Sequence, residues 1–177
     1  MNDAIKWSPK HVNKHGPKGH TPLHEAAIAN NVQAAQVLLD HKAQIDSLDK
    51  DENTPLHLAA RSNSLAVAKL LLERGADPNV QNRNDYTPLN FAIDHDFPQM
   101  ATLLLEHGAS ANMTDSYGWT PLMYAAEFGY AELTTLLVDH GADLNTRTPK
   151  GRSALDIARD RGHEEIFTLL KKRGATQ

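Results

Sequence analysis

The chain has 177 residues, enough for one domain with a sizeable core, and its 40% hydrophobic and 23% charged fractions resemble those of globular proteins. A formal net charge of −4 and a pI near 6.2 argue against a nucleic-acid binder, and no apolar run approaches the roughly 20 residues that span a bilayer. There is no Cys, which excludes disulfides, thiolate zinc sites and Cys nucleophiles.

The first stretch, "MNDAIKWSPKHVNKHG", lacks the apolar core of a signal peptide, so a cytoplasmic location is expected. Residues 1–11 are too short for a pair of helices. They either stay disordered or fold Ile5 and Trp7 over the first helices of the chain, and both readings stand. Beyond them a phrase recurs: "TPLH" at Thr21 and Thr54, "TPLN" at Thr87, "TPLM" at Thr120 and "SALD" at Ser153, each start 33 residues after the last. Two more phrases keep the same step. One is "VLLD" at Val37, "LLLE" at Leu70 and Leu103, and "LLVD" at Leu136; the other is "RGADPN" at Arg74, "HGASAN" at His107 and "HGADLN" at His140.

Each phrase has a mechanical job. Thr before Pro predicts a helix start, since the hydroxyl caps free N–H groups and Pro suits the first helical position. The small residues after it predict an inner helix that lets its neighbours come close. The Leu-rich phrase predicts a longer outer helix, ended by Gly75, Gly108 or Gly141 in the left-handed conformation that Gly adopts freely.

These residues, summarised as "GADxNxxDxxGxTPLHxAA", resemble the ankyrin-repeat family, whose period is also 33. The resemblance runs from about Val12 to Ala175, and Val12 and Asn13 fit the phrase that precedes a Thr-Pro. It implies an all-α solenoid of five 33-residue helix–turn–helix repeats with projecting β-hairpin loops. Residues 1–15 are then an N-terminal extension and partial hairpin. Residues 16–177 form a single domain, with repeats at about 16–48, 49–81, 82–114, 115–147 and 148–177. In the last outer helix Lys171 stands where the earlier copies have Leu39, Leu72, Leu105 and Val138, as an end repeat requires.

Some residues depart from the pattern. Lys42 replaces a helix-ending Gly, and Glu52 and Asp85 replace a loop Gly kept at Gly19, Gly118 and Gly151. Pro98 is tolerable only if it opens the third outer helix, with Asp94 or Asp96 as the expected cap.

Catalysis finds little support. His11, His15, His20 and His24 are separated by Gly16, Pro17 and Gly19, so they do not share a helix face as zinc ligands often do. The acidic run Asp94-His95-Asp96 falls at a turn between helices. No phosphate-cradling Gly loop, G-x-S-x-G or H-E-x-x-H is present. The expectation is a non-enzymatic chain with no metal and no cofactor.

By the resemblance, partner contacts come from loop tips, the residue before Thr-Pro and the end of the inner helix. Five of the ten aromatic residues crowd into Tyr117 to Tyr130, and Tyr117, Trp119 and Phe128 fall on such positions, as does Tyr86 one repeat earlier. Trp and Tyr are enriched at binding hot spots. The expected contact set is therefore Tyr86, Tyr117, Trp119 and Phe128 with Arg83, His95, Glu127, Arg147 and Arg152. The competing reading is that Trp119 only packs on Tyr86 and stiffens the loops. Over all such positions there are eight bases (Lys18, Lys50, Arg61, Arg83, Arg147, Lys150, Arg152, Arg159) and four acids (Asp51, Asp94, Glu127, Asp160), a face of +4 on a chain of −4. This suggests a protein partner that is acidic or offers an apolar anchor. Nucleic acid and membrane are not expected, and a monomer is. Three other roles remain open: an inhibitor, immunity or host-directed effector protein if the source is bacterial; a substrate of asparaginyl hydroxylation at Asn79, Asn112 or Asn145, as the resemblance allows; and a self-associating spacer.

Overall fold

The computed structural model describes residues 9–176, so the expectation for Ile5 and Trp7 lies outside the described residues. After a short helix α1 (Pro9–Val12), five pairs of helices succeed one another. The inner members are α2 (Pro22–Ile28), α4 (Pro55–Arg61), α6 (Pro88–Asp94), α8 (Pro121–Phe128) and α10 (Ala154–Arg161). The outer members are α3 (Val32–Asp40), α5 (Leu65–Glu73), α7 (Pro98–Glu106), α9 (Ala131–Asp139) and α11 (Glu164–Lys172). Each inner helix packs on its own outer partner and on the next inner helix, and the outer helices stack likewise. This is a five-repeat, all-α solenoid.

The recurring phrase explains the stacking. In the second repeat the Thr54 N–H donates to His57 Nδ1 at 3.0 Å, and the Thr54 hydroxyl lies 2.8 Å from the same nitrogen. That leaves the proton on Nε2, which donates to the carbonyl of Tyr86 in the next loop at 3.0 Å. His24 does the same toward Asn53 at 3.0 Å. One side chain thus caps its own helix and ties it to the adjoining repeat. Between the inner helices small residues, such as Ala27, Ala60, Ala92, Ala126 and Ala158, are fully buried beside Leu23, Leu56, Leu89, Leu122 and Leu155. At about 25 cal/mol per Å² of apolar surface, this burial is the main stabilising term.

A second ladder runs along the loops. Asn79 accepts from the Ser110 N–H at 2.8 Å and donates to the Gly108 carbonyl at 3.0 Å. Asn112 repeats this with Asp143 (2.7 Å) and Gly141 (2.9 Å). Asn13 accepts from the Gln44 N–H at 2.8 Å, so the partial loop before the first Thr-Pro takes part. Asp46 occupies the same rung with an acid, and one of its carboxylate oxygens is buried without a partner.

The projecting β-hairpins are a correction: no strand forms among the described residues. Each loop is closed by only two backbone bonds, such as Asn82 N–H to the Tyr86 carbonyl at 2.9 Å and Asp85 N–H to the Asn82 carbonyl at 2.8 Å. The N–H groups that a strand would pair are taken by side chains instead: Asp49, Asn82 and Asp115 each accept two of them. Successive tips among the first four loops then share one backbone bond, as from Arg83 N–H to Asp51 at 3.2 Å, which is too little for a ladder. Glu52 (φ 64) and Asp85 (φ 59) hold the left-handed turn where other copies use Gly. Pro98 does open α7, but Phe97 precedes it without a side-chain cap bond, and Asp96 sits in the turn at φ 53. The cap expected from Asp94 or Asp96 is therefore not made, because Phe97, which has no side-chain acceptor, holds the cap position.

Candidate functional site

Asp115 organises the fourth loop. It is 5% exposed, and its Oδ1 accepts from the N–H groups of Tyr117 and Trp119, both at 2.9 Å. Its Oδ2 accepts the hydroxyl of Tyr124, on α8, at 2.5 Å. Burial pushes the Tyr124 phenol well above its usual range, and the bond to Asp115 adds in the same direction, so the ring is a neutral donor at any ordinary pH.

Tyr124 is the hub of the aromatic cluster. Its ring centroid lies 5.1 Å from Trp119, 5.9 Å from Tyr86 and 6.2 Å from Phe128. Tyr86 continues to Phe91 at 5.7 Å, and Phe128 to Tyr130 at 5.5 Å. A chain of rings thus crosses from the third repeat to the fourth. Tyr124 is not in the contact set expected from the sequence. The signal was present, because Tyr124 stands 33 residues after Phe91. Trp119 meets Tyr124, and it is Tyr124 that meets Tyr86.

The rings lie where the histidine tie is missing. At the place of His24 and His57 the third repeat has Asn90, which accepts from the Thr87 N–H at 2.9 Å and hydroxyl at 2.8 Å. Its amide nitrogen is buried without a partner, since the side chain is too short to reach the next loop as an imidazole does. Contact between rings holds repeats three and four together instead.

Exposure separates the expected residues. Tyr117 is 72% exposed and Phe128 46%, while Tyr86 and Trp119 are half-buried. Tyr117, Trp119, Thr148, Pro149, Lys150 and Arg152 line a cleft of about 240 Å³ between the fourth and fifth loops. Gly118 (φ +75) lets the two loops come this close, because a Cβ there would meet Pro149 Cδ at 2.7 Å. His95 is exposed, donates to the Phe91 carbonyl at 3.0 Å and stacks on Phe97.

The charged members are engaged within the chain. Arg83 pairs with Asp51 (4.0 Å) and Glu52 (3.6 Å), and it donates to the Lys50 carbonyl at 2.5 Å. Arg147 pairs with Asp156 at 3.2 Å, Arg152 with Asp160 at 3.3 Å, and Glu127 with Arg161. Arg159 joins Asp156 (3.2 Å) and Asp160 (3.6 Å). These arginines are therefore held by acids of the chain itself, but Asp51 and Asp160 are already counted among the acids of the face, and Glu52 and Asp156 are partly offset by Arg161, so the face stays positive. Among the described residues no three His, Asp or Glu side chains converge as metal ligands, and no helix is long and apolar enough to cross a membrane.

A family model described as ankyrin repeats (3 copies) matches residues 2–82 and 89–177.

Proposed function

This chain belongs to the ankyrin-repeat family, whose members are typically non-catalytic scaffolds, and from that premise we propose that it binds a protein partner through the aromatic cluster of its third and fourth repeats. The observation that carries this reading is the ring chain through Tyr86, Tyr124, Trp119 and Phe128, in which Phe128 is exposed, together with the exposed Tyr117 in the same loop as Trp119. Core packing needs no ring exposed to water, whereas an interface gains most from such anchors. The loops and inner helices are already ordered, which limits the entropy lost on binding.

Within this reading residues 16–177 act as one domain, joined by Val12 and Asn13. The protein works as a monomer in the cytoplasm. His95, Arg83, Glu127, Arg147 and Arg152 form the rim. Because the arginines are largely paired within the chain, the aromatic anchor carries the affinity. A pull-down from lysate of the source organism, read by mass spectrometry, compares wild type with Trp119→Ala/Phe128→Ala. A protein held only by wild type supports the reading. Equal retention by both overturns the placement of the site.

A further inference from the structure

The ends of the inner helices form a column of charged residues, Arg61, Asp94, Glu127 and Asp160, spaced 33 apart. Its last two acids are neutralised from within. Glu127 meets Arg161, which is 34 residues ahead, and Asp160 meets Arg152, which is eight residues behind. Taking the same steps from Asp94 leads to Phe128 and Tyr86, two aromatic rings in place of two arginines. Among the described residues no Lys or Arg pairs with Asp94. The neighbours that favour its charge are the Tyr86 hydroxyl and the adjacent His95. Asp115 lies near enough to repel it, and half-burial makes its charge costly.

We propose that Asp94, with the rings of Tyr86, Tyr124 and Phe128, receives a lysine or arginine side chain of the protein partner. The partner supplies at Asp94 the cation that this chain supplies for itself at Glu127 and Asp160. The column already holds one such arrangement, since the Arg61 guanidinium lies 5.9 Å from the centroid of the Phe91 ring. Cations are drawn to aromatic faces, more so when a carboxylate lies beside them. Uncompensated negative charge beside open ring surface favours a basic segment over an acidic or purely apolar one.

The inference rests on the binding reading above, and the test separates the two. Full-length wild type, Asp94→Asn and Trp119→Ala are each used to select from a phage library of random dodecapeptides. Binding of the enriched peptides is then measured by calorimetry, with circular dichroism confirming the fold of each variant. Asp94→Asn keeps the size of the side chain and an oxygen acceptor. The expected result is that wild type enriches peptides with Lys or Arg at a fixed position, and that Asp94→Asn binds them about tenfold or more weakly. Enriched peptides that lack a fixed base, or that bind Asp94→Asn as well as wild type while Trp119→Ala loses them, overturn the cation inference and leave the aromatic anchor standing. Peptides indifferent to both substitutions overturn both. A selection that enriches nothing overturns the cation inference.

Discussion

Replacing Asp46 by Asn should make the protein more stable at neutral pH. On the equivalent rungs Asn79 and Asn112 donate to the carbonyls of Gly108 and Gly141, each 29 residues ahead. The same step from Asp46 leads to Gly75, but a carboxylate has no proton to give. One oxygen of Asp46 accepts from the Asp77 N–H at 3.4 Å, while the other is buried and unsatisfied. Asp46→Asn removes that orphan acceptor and supplies the missing donor. One hydrogen bond is worth about 1 kcal/mol, and relief of a buried unsatisfied group about 1–3 kcal/mol, so a gain of about 1–2 kcal/mol is expected. For a chain of this size that raises the melting temperature by about 2–4 °C per kcal/mol. The pH dependence is a second check. Burial holds the Asp46 carboxyl above its usual 3.8, so the folded state binds its proton more tightly than the unfolded state does. Its contribution is most favourable below 3.8 and is lost as pH rises through the raised value. The advantage of Asn over Asp should therefore be full at pH 7 and shrink as pH falls toward 4. Urea unfolding at several pH values measures it. A variant no more stable than wild type at pH 7, or a gap that does not change with pH, refutes the reasoning.

The histidine tie yields two more predictions. Asn90→His should restore the tie between the third and fourth repeats, with Nε2 reaching the Trp119 carbonyl as His57 reaches Tyr86, and raise stability by about 1 kcal/mol in urea unfolding. His57 is buried and its pKa is lowered to about 4, because charging it would cost desolvation and remove the Nδ1 acceptor for Thr54. The unfolded state therefore binds that proton first. Stability should be full above pH 6.5 and fall through the window down to 4, by about 3 kcal/mol at most; a His57→Gln variant should show a flatter profile there.

The fold was legible because each level of the sequence agrees with the others. The 33-residue step, the Thr-Pro starts and the Gly ends all mark the same helix pairs. Asp85 and Glu52 take the left-handed turn that the pattern requires of them. The β-hairpins were not legible as absent, since a loop of fitting length does not disclose that Asp49, Asn82 and Asp115 capture its N–H groups. Nor was the internal pairing of charges on the face, because pairs such as Glu127 with Arg161 depend on how long side chains lie between repeats. Trp119 and Phe128 stood out by composition alone. Tyr124 did not, since a ring on an inner helix reads as core until Asp115 is seen to hold its hydroxyl. The exceptional place of Asp94 was in the register throughout, but it gains meaning only once its counterparts are seen to be paired.

The central claim is that the cluster around Trp119 is the contact surface. Its most direct test is a calorimetric titration of the recovered partner against wild type and Trp119→Ala. The variant is checked by circular dichroism, because Trp119 also packs on Tyr124. A loss of about 2 kcal/mol or more in binding, roughly thirtyfold in affinity, is the predicted result. Unchanged affinity in a folded variant contradicts the account.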